Sequence, residues 1–142
     1  MRRLKTRRQF EVLLAASVVS KSNHFKLHRL DITTLQSTES SNLFAVGEIY
    51  LGAMTPKRWA KNAVTRNAVK RQIYAACDRF KTPANNLAYL VRLWRTFDRN
   101  SYKSASSTLL TAAVKLELES LLSVYLSNTR LHERPLESVA NL

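Results

Sequence analysis

The segment "AVTRNAVKRQIYAACDRF", residues 63–80, constrains the fold more than any other. Val69, Ile73, Ala76, Cys77 and Phe80 recur at the helical period and predict one buried helix face. On either side lie runs of strand character: "LFAVGEIYLGAM", residues 43–54, and "NLAYLVRLW", residues 86–94. A helix between two strands implies a βαβ unit and places the chain in the α+β or α/β class.

The same helix carries the chemistry. Lys70, Asn67, Tyr74 and Arg71 fall together beside the apolar face, with Arg66 one turn below Lys70. From Lys57 to Lys81 there are eight Lys/Arg and a single acid, Asp78. An ordinary solvated face mixes signs. One that does not is suited to a polyanion: Arg offers a fork of donors to phosphate oxygens, Lys a mobile point charge, Asn both donors and acceptors. Lys57, Arg58 and Lys61 extend the track into the preceding loop. The whole chain has a net charge of +13, which favours nucleic acid over an anionic membrane as partner.

The remaining segments complete one domain of 142 residues, with hydrophobic content of 45%, enough for a core. "RRLKTRR" places five cations in seven residues, a candidate floppy arm searching phosphates. It leads into a predicted helix over residues 7–16, with Phe10, Leu13, Leu14 and Ser17 on one stripe. Glu11 interrupts the apolar run, and residues 12–19 fall far short of the ~20 that span a bilayer; neither a cleaved signal nor a membrane association is expected, and the protein is placed in the cytoplasm. Residues 24–31, "HFKLHRLD", alternate as a half-buried strand with Phe25 and Leu27 on one face and Lys26 and His28 on the other. Residues 31–42 are polar and read as a loop. Residues 43–54 read as strand, broken near Gly47 into two, and Pro56 ends them. Residues 104–126 form the last helix, capped by Ser106 or Ser107, with Leu110, Val114, Leu118, Leu121 and Tyr125 inward. The domain is set at residues 1–127, and residues 128–142 read as a flexible tail. The order is helix, strands, basic helix, strand, helix, with the helices on one face of a small sheet.

Protein-based catalysis finds no support in the residues. His24, His28 and His132 lack carboxylate or cysteine partners at metal-ligand spacing. Cys77, the only cysteine, sits on the apolar helix face as a core thiol, and Gly47 and Gly52 are the only glycines, too few for a phosphate-cradling loop.

"PKRWAKNAVTRNAVKR" resembles the signature of the protein component of bacterial ribonuclease P: a basic dipeptide, here Lys57 and Arg58, a short loop, then a helix bearing Arg66, Asn67, Val69, Lys70 and Arg71. "RLKTRRQF" resembles the family's opening, "FKLHRLD" its first strand and "LAYLVRLW" its last. Ala68 stands where a second arginine is expected, Leu14 in place of an aromatic and His28 in place of a tyrosine-like residue. The resemblance implies a single compact α+β domain of αβββαβα order, shared with a ribosomal protein domain, with a left-handed βαβ crossover. It implies that Lys57, Arg58, Lys61, Arg66, Asn67, Lys70 and Arg71 bind the catalytic RNA subunit, one protein per RNA. Phe10, Leu14, Lys26 and His28 would line the cleft for the single-stranded 5′ leader of precursor tRNA. The protein would then be the non-catalytic subunit of an RNA-based endoribonuclease, with magnesium held mainly by the RNA. The alternative is a general RNA-binding or ribosome-associated protein with no processing role.

Overall fold

The computed structural model describes residues 1–35, 42–80, 82–97 and 108–140, with residues 130–140 described by backbone alone. Lys81, Ser106, Ser107 and half of the polar loop, residues 36–41, lie outside the described residues. Five strands, β1 (Arg2–Arg3), β2 (Ser17–Lys21), β3 (Phe25–Asp31), β4 (Ile49–Met54) and β5 (Leu87–Leu93), form one sheet in the order β1-β4-β5-β3-β2. The helices are α1 (Arg7–Leu14), α2 (Ala63–Asp78) and α3 (Thr108–Ala140), and a short 3-10 turn (Ile32–Thr34) follows β3. β1, β4 and β5 run parallel, while β3 is antiparallel to both β5 and β2. The expected βαβ unit is β4–α2–β5.

β5 is the middle strand, and its sequence shows why. Six of its seven residues are buried, so it reads as a continuous apolar run, as a strand covered on both faces must. Arg92 is the one charged residue in it.

The two faces hold two cores. On one, α2 and α3 pack Val69, Ile73, Leu110, Val114, Leu118 and Leu121 against Phe25, Leu27, Leu51, Tyr89 and Val91. On the other, α1 packs Leu13 with Leu4, Tyr50, Ala88 and Leu90. The expectation that all helices share one face is therefore corrected: Leu13 is wholly buried while Leu14 is 41% exposed, so the stripe of α1 is narrower than the sequence suggests and docks on the opposite side. α1 is fixed by a capping box. Thr6 Oγ1 accepts from the Gln9 amide at 3.2 Å, and Gln9 Oε1 accepts from the Thr6 amide at 3.1 Å. Gln9 Nε2 also donates to the Leu43 carbonyl at 2.7 Å, tying α1 to the segment before β4.

Four further expectations change. Ser17 leaves α1 and begins an edge strand, β2, where β-branched Val18 and Val19 prefer the extended backbone. The region around Gly47 forms a turn, and only Ile49–Met54 is strand. The αβββαβα count holds because β2 supplies the third strand, with the two-residue β1 added in front. The backbone of α3, expected to end before a tail at residue 128, continues through residues 128–140, Pro135 included. "RRLKTRR" is not a floppy arm: Arg2 and Arg3 pair in the sheet with Tyr50 and Leu51, and Arg7 opens α1 in an ion pair with Glu11 at 3.1 Å.

Candidate nucleic-acid interface

α2 separates its residues as its periodicity predicts. Val69, Ile73, Ala76 and Cys77 are buried, while Asn67, Lys70 and Arg71 are exposed. Burial pushes the Cys77 thiol up to about 12, with Asp78 adding to it, which fits an inert core thiol. An open groove beside the exposed flank is lined by Asn67, Lys70, Arg71, Tyr74, Ala75 and, from β1, Arg3, with Asp78 as its one acid. The Arg3 guanidinium lies 3.9 Å from the centre of the Tyr74 ring, and Tyr74 Oη accepts from the Ala53 amide at 3.3 Å. Tyr74 thus bolts α2 to β4 while its ring seats a cation from the far edge of the sheet. No carboxylate among the described residues forms an ion pair with Lys57, Arg58, Lys61, Lys70 or Arg71.

The loop before α2 is a built structure. The amides of Trp59 and Ala60 donate to the Pro56 carbonyl at 3.0 and 3.1 Å, and Asn62 caps α2 by accepting from the Val64 amide at 2.8 Å. Arg66 also has a structural role. It is half-buried, and its Nη1 donates to the carbonyls of Ala60 and Lys61 at 3.0 and 2.8 Å. It holds the loop on the helix, so that Lys57, Arg58 and Lys61 stand outward from a fixed base.

The second surface is the part of the sheet beside α1. Phe10 lies over Gly52: a Cβ built there would come within 2.9 Å of Phe10 Cε1 and 2.4 Å of Leu4 Cδ1. Leu14 is exposed, and Lys26 is half-buried. His28 is not available for stacking. It is only 2% exposed, because the end of α1 and the start of β2 close over it. Its Nδ1 is 3.0 Å from the Ala16 carbonyl, and Arg92 Nε donates to its Nε2 at 2.9 Å. That pair of contacts requires a neutral ring protonated on Nδ1.

Burial holds the His28 pKa below its ordinary value of 6.5; Arg92 and Lys26 lower it further, and the Ala16 hydrogen bond opposes them. At neutral pH both the folded and unfolded chains carry a neutral ring, and the link is intact. As pH falls below 6.5, the unfolded chain takes up the proton first, so stability is lost with acid until folded His28 titrates as well. Melting curves taken between about pH 7.5 and about pH 5 should therefore fall more steeply for the natural chain than for His28→Gln, which retains an acceptor but cannot be protonated there. Parallel slopes would refute the assignment.

Sequence spacing also missed the partner of His24. Its Nδ1 donates to Glu117 Oε1 at 2.7 Å, and its ring stacks on Phe97 at 3.8 Å. Ser22 Oγ and the His24 amide donate to Glu117 Oε2 at 2.5 and 2.8 Å. Glu117 thus fastens the β2–β3 turn to α3. Lys21, Arg92 and Trp94 were missed as surface residues too, and Arg3 was included only as part of the basic run at residues 2–8. Only Arg92 leaves a signal in the sequence, as a lone charge inside an otherwise apolar strand.

Among the described residues no group of three His, Cys, Asp or Glu side chains could hold a metal, and the candidate surfaces themselves are cationic. Magnesium does not fit them. No helix among the described residues is long and apolar enough to cross a membrane.

Comparison with known proteins agrees with this architecture. The sequence model of the Ribonuclease P family matches residues 1–117. The ribonuclease P protein of Staphylococcus aureus superimposes with a TM-score of 0.59 at 18% identity, covering 87% of this chain and 94% of that one. The ribonuclease P protein of Thermotoga maritima gives 0.54 at 16% identity, covering 86% and 96%. No curated protein matches the sequence significantly.

Proposed function

The chain belongs to the ribonuclease P protein family, a family of tRNA processing whose members imply an RNA subunit as partner, and on that footing we propose how its surfaces divide the work. The loop at Lys57, Arg58 and Lys61 and the groove at Arg3, Asn67, Lys70 and Arg71 bind the catalytic RNA. The sheet face at Phe10, Leu14 and Lys26 receives the single-stranded 5′ leader of precursor tRNA, in a cytoplasmic complex of one protein per RNA. Hydrolysis of the phosphodiester belongs to the RNA and the magnesium it holds, so the protein is the non-catalytic subunit. Its cations screen phosphate repulsion and bring the substrate to the RNA.

The observation that carries this reading is the flank of α2. Its cations are exposed and without carboxylate partners among the described residues, while the opposite flank is core. Helix geometry alone would permit a mixed-sign surface, and a fixed loop of further cations continues the track.

Reconstitution tests the reading. Added to a bacterial catalytic RNA at low magnesium, the chain should raise the rate of precursor tRNA cleavage by about tenfold or more, and should cut nothing when the RNA is left out. Tight binding of the RNA with no gain in cleavage would favour a general RNA-binding protein. Cleavage without the RNA would overturn the non-catalytic role.

A further inference from the structure

α3 is apolar on two sides. Its inward stripe, Leu110, Val114, Leu118, Leu121 and Tyr125, is buried in the core. On the other side Leu109 is 70% exposed, Leu116 67% and Val124 46%. At about 100° per residue these three fall within about 80° of arc, with only alanine and serine between them, at 112, 113, 120 and 123. A single exposed leucine is ordinary, but a helix with a second apolar stripe has a face suited to a partner.

Charge identifies the partner. The chain carries +13 overall, so two copies repel each other wherever their cationic surfaces meet. Residues 108–127 of α3 are an exception. Their only charged side chains are Lys115, Glu117 and Glu119. Glu117 is taken up by Ser22 and His24. Lys115 and Glu119 are exposed and form no ion pair among the described residues, not even with each other. Lysine precedes glutamate here, the less favourable order for a bridge within one helix.

The pair is instead complementary to itself. Lys115 and Glu119 lie on one flank of the exposed stripe, and Glu117 lies on the other. When two identical helices meet antiparallel, like flanks face each other, so Lys115 of each copy comes beside Glu119 of the second. Leu116 then meets its own counterpart, and Leu109 meets Val124. All three pairings put the two-fold axis at one place, beside Leu116 and Glu117. The alanines and serines of the stripe let the two helices approach closely.

We infer that α3 is a self-association face, through which two copies of this chain pair as an antiparallel two-fold dimer with Leu109, Leu116 and Val124 in the seam and reciprocal Lys115–Glu119 bridges along its side. The contact is separate from the proposed RNA surfaces and does not depend on them. α3 borders the flank of α2 that bears Gln72 and Arg79, whereas the cationic groove runs along the flank that bears Asn67 and Lys70. α1 and its core lie across the sheet. From Leu109 to Val124 the helix rises about 22 Å. A seam of that length and one helix wide is smaller than a standard stable interface, so the dimer forms in the range of about 10–100 μM.

Sedimentation velocity of the full chain, free of nucleic acid and at about 0.15 M salt, tests this from about 1 to about 200 μM. The natural chain should pass from monomer to dimer across that range. Leu109→Ser with Leu116→Ser should stay monomeric and melt no lower than the natural chain, since neither side chain belongs to the core. Lys115→Glu and Glu119→Lys each set like charges opposite one another twice, and each alone should weaken association by at least about tenfold. An equimolar mixture of these two single variants restores both bridges in the mixed dimer and should associate as the natural chain does. A chain that is monomeric at every concentration would overturn the inference. So would a dimer that survives the paired serine variant, or a mixture that associates no better than its components.

Discussion

Replacing Lys70 and Arg71 with glutamate is expected to weaken binding of the catalytic RNA by about 3 kcal/mol, roughly a hundredfold, while the melting temperature stays within the range of ordinary surface substitutions. Both side chains are exposed on the groove flank, whereas the face that anchors α2 is made by Val69, Ile73, Ala76 and Cys77. Reversal removes two phosphate contacts and adds two repulsions, and neither change touches the core. The loss should shrink as salt rises, and the log–log slope of affinity against salt should become shallower by about one to two units than that of the natural chain. A titration of the catalytic RNA at two salt concentrations, with thermal melts of the free protein alongside, measures both. Unchanged affinity with an intact fold would remove this flank from the interface.

Glu117→Ala should act in the opposite manner, on the fold first. The Glu117 side chain is 17% exposed and takes three hydrogen bonds, from Ser22 Oγ, the His24 amide and His24 Nδ1. Truncation leaves those donors unsatisfied in a half-buried turn and should destabilise the protein by about 3 kcal/mol, lowering its melting temperature by about 10 °C. Glu117→Gln keeps one acceptor oxygen and should recover about half of that loss. Because the turn links β2 to β3, the Ala variant should also bind precursor tRNA less well through misplacement of Lys26. Stability within about 0.5 kcal/mol of the natural chain would show that the carboxylate does not anchor the turn.

The contrast between these residues shows what the sequence makes legible. α2 and its cations follow from spacing alone, because helical period and charge are local properties. β5 follows from its apolar run. β2 does not, since "SVVSK" is short, continues an apolar stretch already read as helix, and carries a register shift between Val18 and Ser20 that blurs the alternation of a strand. His24 and Glu117 are 93 residues apart in the chain, so no spacing rule joins them. His28 has the alternation of a surface residue. It is buried because the end of α1 closes over it, and that is decided by Leu13 and Gln9 elsewhere in the chain. Arg66 matches the basic pattern in type yet turns back on its own loop, a choice made by the carbonyls of Ala60 and Lys61.

Position 52 sets a condition on every relative that keeps this arrangement. With no room there for even a methyl group under Leu4 and Phe10, an alanine would have to be accompanied by a smaller residue at 4 or 10, or by a tilt of the first helix away from the sheet. Changes at these three positions should therefore occur together through descent, and a side chain gained at 52 alone would lift Phe10 off the sheet before it disturbed the opposite core.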